Sequence, residues 1–123
     1  MKILVVDDEE MSIKLIEIQL KKDNHEVIST TDGREAVEMI KMEKPDLVIS
    51  DIMMPFMSGL ELLEIIKAEN KKIPVILISA LDDVEVVQTA IGMGADDFII
   101  KPVKVDELTL RMHRVMANVT ASN

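Results

Sequence analysis

The chain has 123 residues, 48% of them apolar and 30% charged, which is the balance of one soluble globular domain with a single core. Its net charge of −9 disfavours nucleic acid as a direct partner, because phosphate contacts need clustered Lys and Arg. It contains no cysteine, so disulfides and thiol catalysis are excluded, and its longest apolar runs are too short to cross a membrane.

Short apolar runs alternate with longer segments of helical spacing along the chain. The predicted strands are residues 3–6, 27–29, 47–49, 75–78 and 98–100. Three helical segments open with the spacing of a capping box: Asp32 with Glu35, Ser58 with Glu61, and Asp82 with Glu85. Gly94 follows the fourth segment, where a left-handed residue would end the helix. This alternation predicts an α/β fold with a five-stranded parallel sheet of order 2-1-3-4-5, flanked by five helices and flavodoxin-like.

The first helical segment carries more apolar residues than one core face needs. Its charges share one narrow stripe, formed by Lys14, Glu17 and Lys21. We expect the opposite face, formed by Leu15, Ile16 and Leu20, to be core. Met11 and Ile18 lie on one rim of this face, and Ile13 lies on the other. A deeply wedged helix is the favoured interpretation, and an exposed apolar rim that docks a partner helix is the alternative.

Polar side chains follow four neighbouring strands of the predicted sheet. Asp7 and Asp8 follow the first strand, Asp51 the third, Ser79 the fourth and Lys101 the fifth. Because ligands bind beyond the carboxyl ends of strands in an open α/β sheet, we expect these side chains to converge there. Three carboxylates, one hydroxyl and one ammonium group then form an organised site.

The residue types in this predicted site indicate a chemistry. Three carboxylates without a nearby His or Cys suit Mg²⁺, which prefers oxygen ligands. Lys101 and Ser79 suit the anionic oxygens of a phosphoryl group. Together these groups predict phosphoryl transfer to or from a carboxylate.

Four stretches in this order and spacing carry a family resemblance: "VVDDEE", "DLVISDIMMPFMSGLELL", "VILISA" and "GADDFIIKPV". The chain resembles the receiver domain of two-component response regulators, similar to chemotaxis regulators, over nearly its whole length. The resemblance implies a receiver domain at residues 1–119, followed by a short polar tail at 120–123.

The resemblance also implies a phosphorylation-activated signalling switch. Asp51 would accept a phosphoryl group from the phosphohistidine of a sensor histidine kinase or phosphotransfer protein. The cofactor would be Mg²⁺, held by Asp7, Asp8, Asp51 and the backbone carbonyl of Met53, with Asp7 acting through a water molecule. The switch would change its surface for a downstream protein that the sequence does not identify.

Further roles follow from the same resemblance. Lys101 and the Ser79 hydroxyl would contact the phosphoryl oxygens, and Phe98 matches an aromatic switch that moves inward when Ser79 is drawn to the phosphate. Met53 and Leu81 match rim positions that control the water for dephosphorylation, so their apolar side chains predict a long phosphoryl lifetime. Plain core packing is the alternative for Phe98, as plain loop packing is for Met53 and Leu81.

Two other functions would use residues of the same kind. A phosphatase of the aspartyl-phosphate type would need a second Asp two residues after the nucleophile, where this chain has Met53. A binding module that no longer accepts phosphate would not need the complete set of site residues. We therefore expect a phosphoacceptor domain that assists its own phosphorylation and dephosphorylation, and not a separate enzyme.

Several remaining expectations concern the whole molecule. Residues 82–93 contain no Lys or Arg, which argues against a salt-bridged dimer through the fourth helix and favours a monomer. The lack of cysteine fits a reducing cytosol, and Met1 and Lys2 leave no room for a signal peptide before the first strand, so we expect a cytoplasmic location. The Lys101–Pro102 bond is predicted to be cis, in a tight turn that would hold Lys101 at the site.

Overall fold

Strands and helices alternate throughout the computed structural model, which describes residues 1–70, 72–80 and 84–121. The strands are β1 (Lys2–Val6), β2 (Glu26–Thr30), β3 (Leu47–Asp51), β4 (Val75–Ser79) and β5 (Asp97–Ile100). The helices are α1 (Glu10–Lys22), α2 (Gly33–Glu43), α3 (Gly59–Glu69), α4 (Val84–Gly92) and α5 (Val105–Ala121).

The five strands form one parallel sheet in the order β2-β1-β3-β4-β5, as the alternation of strands and helices predicted. The pairing places Val6 of β1 beside Ser50 of β3, and Ser79 of β4 beside Ile100 of β5. Since all strands run the same way, the residues that follow β1, β3, β4 and β5 meet at one edge of the sheet.

Alternate residues of each strand pack into two separate cores, one on each face of the sheet. Ile3 and Val5 of β1 pack with α1 and α5, whereas Leu4 and Val6 pack with α2, α3 and α4. Both faces are covered by helices, so the polar edge beyond the carboxyl ends of the strands is left as the place for a ligand.

Two of the predicted helix starts are capped as expected. The Asp32 carboxylate accepts a hydrogen bond from the Arg34 amide at 2.8 Å, and the Ser58 hydroxyl accepts one from the Glu61 amide at 3.2 Å. Asp82, proposed to cap the fourth helix, lies outside the described residues. Gly94 follows α4 with a φ of 104°, as predicted for the residue that ends this helix.

The prediction for the first helix was wrong at Leu15, which is exposed and not part of the core. The buried stripe of α1 consists of Ile13, Ile16 and Leu20. Three apolar residues instead face away from the sheet, with exposed fractions of 70%, 66% and 62%: Met11, Leu15 and Ile18. Both stripes have helical spacing, and the one that begins at Ile13 is the one turned toward β1 and β2.

α5 continues to Ala121, two residues past the predicted boundary at residue 119. Residues 122 and 123 lie outside the described part, so the division into a domain and a polar tail stays a prediction. Among the described residues, no helix has both the length and the apolar character needed to cross a lipid bilayer.

Candidate functional site

The loop after β1 turns one acid inward and two outward. Asp7 is 1% exposed, whereas Asp8 and Glu9 are exposed. The Asp7 amide donates to the Thr30 carbonyl at 3.3 Å, and its side-chain Oδ1 accepts from the Glu9 amide at 2.9 Å. These two bonds fix the turn between β1 and α1, so the Asp7 carboxylate is held at the edge formed by the carboxyl ends of the strands.

Asp51 is the last residue of β3 and is 3% exposed. Its Oδ1 accepts a hydrogen bond from the Met53 amide at 3.2 Å, and its Oδ2 accepts one from Lys101 Nζ at 2.8 Å. The two oxygens therefore face different partners, and the carboxylate is held in one orientation at the edge of the sheet.

Gly59, the first residue of α3, allows the chain after Asp51 to fold back closely. A Cβ at Gly59 would lie 2.2 Å from the Asp51 carbonyl oxygen and 2.8 Å from Ile52 Cα. The Gly59 amide also donates to the Ile52 carbonyl at 2.9 Å. Only glycine fits this approach, so this residue shapes the loop that carries Asp51, a role that the sequence analysis missed.

Lys101 follows β5 and brings its ammonium group to the acids of the other loops. Its Nζ lies 2.8 Å from Asp51 Oδ2, 3.3 Å from Asp7 Oδ2 and 3.4 Å from Glu9 Oε1. The Lys101 amide donates to the Ser79 carbonyl at 2.8 Å, which ties the residue to β4. The bond from Lys101 to Pro102 is cis, as predicted.

The charges of this site alter the pKa values of two groups. Burial, helped by the negative charge of Asp51, raises the pKa of Asp7 to about 6, although the Glu9 amide and Lys101 favour the charged form. Desolvation alone would lower the pKa of Lys101, but the hydrogen bond to Asp51 and the negative charges of Asp51 and Asp7 outweigh it and raise that pKa. The ammonium group of Lys101 therefore stays charged, whereas the charged form of Asp7 at neutral pH is disfavoured by its burial.

Four acids at this edge form a group suited to a metal ion. Within the described ranges, one carboxylate oxygen each from Asp7, Asp8, Glu9 and Asp51 lies within 4.8 Å of the others. Asp7 Oδ2 is buried and makes no hydrogen bond to the described residues. Hard oxygen ligands with an unsatisfied buried member fit Mg²⁺. Glu9 was missing from the predicted set, although its place in the acidic run "DDEE" was the available signal.

The other predicted site residues occupy three different surroundings. Ser79 is fully buried at the end of β4, and Phe98 is 8% exposed in the core on the α2, α3 and α4 face. Met53 is 60% exposed beside Asp51. Leu81 lies outside the described residues. The structure thus brings Asp7, Asp8, Asp51 and Lys101 together, with Ser79 and Met53 flanking them.

Known proteins are similar to this chain in sequence and in fold. Residues 3–113 match the family described as the response regulator receiver domain. The "Probable transcriptional regulator ycf27" of Porphyridium aerugineum is 39% identical over 118 residues, which are 96% of this chain and 49% of that protein. A response regulator receiver domain protein from Clostridium thermocellum superposes with a TM-score of 0.93 at 27% identity, covering 99% of this chain and 98% of that one.

A further solved structure is the CheX–CheY–BeF₃–Mg²⁺ complex from Borrelia burgdorferi. It matches with a TM-score of 0.89 and 33% identity, over 94% of this chain and 88% of that one. The chain belongs to the receiver domains of two-component response regulators, which are phosphorylation-activated switches and not an enzyme family by themselves. The chain spans about half the length of the curated relatives it matches.

Proposed function

We propose that Asp51 is the phosphoryl acceptor of this switch and that a phosphohistidine of a sensor histidine kinase or phosphotransfer protein is the donor. A carboxylate oxygen of Asp51 would attack phosphorus as the phosphorus–nitrogen bond breaks and its electron pair returns to the imidazole. The observation that carries this proposal is the orientation of the Asp51 carboxylate by the Met53 amide and by Lys101 Nζ. A fixed nucleophile beside a fixed cation lowers the cost of bringing two anionic groups together.

We infer that Mg²⁺ is the resident cofactor, held by Asp7, Asp8, Asp51 and the backbone carbonyl of Met53, with Asp7 acting through a water molecule. The support is the close set of carboxylate oxygens, including the buried Asp7 Oδ2 that lacks a hydrogen bond. When bound, the ion supplies positive charge against the carboxylates and the phosphoryl oxygens. Glu9 belongs to the same acidic group and has a second role as a partner of Lys101.

Lys101 and the Ser79 hydroxyl are proposed to bind the phosphoryl oxygens after transfer. Lys101 Nζ already contacts the acceptor carboxylate, so it stands where the new negative charge develops. Ser79 lies on β4 beside β5, in a pairing that also aligns Leu77 with Phe98. Leu77 and Phe98 lie in one core cluster with residues of α4, so a shift of β4 that carries Ser79 toward the phosphoryl group would change the packing of Phe98 and α4. Phe98 is therefore the proposed switch residue.

The donor is proposed to dock on the exposed stripe of α1 formed by Met11, Leu15 and Ile18. α1 begins directly after Glu9, so a helix lying on this stripe would reach the acceptor edge. Leu15 also lines a groove of about 380 Å³ between α1 and α5, with Lys101 and Glu9 among its lining residues. Because Leu15 belongs to the stripe and Lys101 to the site, the groove connects the two, which suits the docking of a helix that carries a phosphohistidine.

The remaining features of the switch are proposals as well. The domain would assist its own phosphorylation and dephosphorylation, act in the cytoplasm as a monomer, and pass its signal to another protein. The acidic net charge of −9 supports a protein partner for this domain over nucleic acid. The absence of Lys and Arg from residues 82–93 supports the monomer.

The central proposal is tested by the intact mass of the protein after incubation with acetyl phosphate. The parent should gain one phosphoryl group with Mg²⁺ and much less after chelation. Asp51→Asn should gain none, whereas Asp23→Asn, an exposed change at the far end of α1, should behave as the parent does. Labelling that persists in Asp51→Asn would show that another residue is the acceptor.

A further inference from the structure

Phe56 has an unusual backbone for a bulky residue. It lies between Asp51 and α3 with a φ of 69°, in the left-handed region that costs energy for any residue with a Cβ. Its side chain is 81% exposed, so burial of the ring does not compensate for that cost. A strained and exposed aromatic residue in the loop of the acceptor needs a contact that holds it there.

Arg34 supplies such a contact from the start of α2. Its guanidinium carbon lies 4.3 Å from the centroid of the Phe56 ring, within cation–π distance. The guanidinium itself is fixed by Asp32, whose carboxylate accepts from Nε at 3.2 Å and from Nη2 at 2.9 Å. Because this two-point pair restricts the guanidinium, the ring rests on an ordered cation.

A second contact joins the same two segments. Gly33 packs so closely on the loop that a Cβ there would lie 3.1 Å from Met57 Cβ. The start of α2 is also tied to the acidic loop, because the Asp32 amide donates to Thr30 Oγ1 at 3.1 Å and the Thr30 carbonyl accepts from the Asp7 amide at 3.3 Å. The β2–α2 junction therefore touches both loops that carry the site carboxylates.

We propose that Arg34 and Phe56 are positioning residues that hold the loop after β3 in the geometry needed to bind Mg²⁺. The Arg34–Phe56 contact acts at a distance from the ion, by restricting the segment that presents Asp51 and the Met53 carbonyl. This inference rests on the proposed function of the site. An exposed cation–π pair corresponds to roughly two- to five-fold in an equilibrium constant, which sets the size of the expected effect.

The test is the dissociation constant of Mg²⁺, measured by calorimetric titration of the full chain. Phe56→Leu removes the aromatic ring while keeping a side chain at the strained position, and it should weaken Mg²⁺ binding about two- to five-fold. Phe56→Tyr keeps the ring and should bind as the parent does. Arg34→Lys keeps the charge but loses the fork that Asp32 fixes, and in that background Phe56→Leu should have a much smaller effect.

The outcomes separate this inference from the proposed function. If Phe56→Leu lowers the unfolding midpoint but leaves the dissociation constant of Mg²⁺ unchanged, the residue has only a structural role and the inference is overturned. Equal effects of Phe56→Leu in the parent and in Arg34→Lys would overturn the coupling between the two residues. If the parent does not bind Mg²⁺ at all, the proposed function fails, and this inference fails with it.

Discussion

Asp7 carries a buried carboxylate oxygen without a hydrogen bond, although Lys101 Nζ lies 3.3 Å away. Burial raises the pKa of Asp7 to about 6, above its ordinary value of 3.8. The folded state therefore holds the proton more tightly than the unfolded state does. The stabilisation that this provides is complete below about pH 4 and is lost as the pH rises through about 6.

Replacing Asp7 with Asn should make the metal-free protein more stable at neutral pH, because the amide carries no charge whose burial destabilises the folded state, a cost that Lys101 only partly offsets. The gain should be on the order of 1–3 kcal/mol, since the pKa of Asp7 is raised from 3.8 to about 6 and one pKa unit corresponds to about 1.4 kcal/mol. Urea denaturation in the presence of a chelator measures it. The difference between variant and parent should grow as the pH rises from about 4 to about 7.

The matched control for this measurement is Asp23→Asn, an exposed change at the end of α1 whose difference from the parent should not show that growth. An Asp7→Asn protein that is less stable than the parent at neutral pH would contradict the prediction. It would mean that Lys101 stabilises the Asp7 carboxylate more than burial destabilises it.

The same substitution, glycine to alanine, should have different effects on stability at Gly59, which is crowded, and at Gly92, which is open. Gly59→Ala should destabilise the fold by roughly 1–3 kcal/mol, because its Cβ would meet the backbone of Asp51 and Ile52, which cannot move aside easily. Gly92→Ala should be neutral or slightly stabilising, since a Cβ there meets nothing within 4 Å. Thermal and urea unfolding of both variants check this, and equal effects would mean that the close approach at Gly59 is unimportant.

The residues of the site differ in how well sequence alone could place them. Asp7 and Lys101 follow strands and Asp51 ends one, and the carboxyl ends of parallel strands meet at one edge, so their proximity could be predicted. Phe56 could not be linked to Arg34 in this way, because both lie in segments whose path depends on turns and close packing. The role of Gly59 depends on the same packing and was equally hidden.

At the scale of elements, α1 shows why a helical pattern fixes a helix but not its orientation. Two apolar stripes with helical spacing run along it, one through Ile16 and one through Leu15. The period is the same for both, so the sequence does not tell which stripe faces the sheet. Strand order was easier to predict, because right-handed crossovers and short connections leave few arrangements of five strands.

The exposed stripe of α1 leads to a prediction about phosphotransfer. Leu15→Glu should slow transfer from a phosphorylated donor protein by roughly ten-fold or more, because a charge would be placed at the centre of an apolar contact. Phosphorylation by acetyl phosphate should be unchanged, since that small donor needs no docking surface. The two rates, measured by loss of label from the donor and by intact mass, separate docking from chemistry.

Met42→Glu is the control for this experiment, because Met42 is 80% exposed on α2 rather than on α1. It should leave both rates and the unfolding midpoint as they are in the parent. If Leu15→Glu and Met42→Glu slow transfer from the donor protein equally, the effect is one of net charge, and the stripe is not the docking surface.

For the whole molecule, the sheet collects charge at one edge while its two faces are covered by the apolar sides of amphipathic helices. The metal-free protein gathers Asp7, Asp8, Glu9 and Asp51 there, and within the described part of the chain Lys101 forms ion pairs with three of them, Asp7, Glu9 and Asp51. Like charges held close together disfavour the folded state, because unfolding lets Asp51 separate from the acids that follow β1. The same arrangement becomes favourable once a divalent cation is bound, so fold stability and site occupancy should be coupled.

Millimolar Mg²⁺ should therefore raise the unfolding free energy, by about 2.7 kcal/mol when its concentration is 100 times the dissociation constant, because the ion binds only the folded state. Asp8→Ala should abolish this gain. Asp8 is exposed, so its removal sacrifices little packing, and the metal-free variant should be slightly more stable than the metal-free parent. Asp23→Ala, which removes an equal charge at the opposite edge of the sheet, should keep the full response. Urea denaturation with and without Mg²⁺ measures all three proteins, and a parent midpoint that does not respond to Mg²⁺ would refute the coupling.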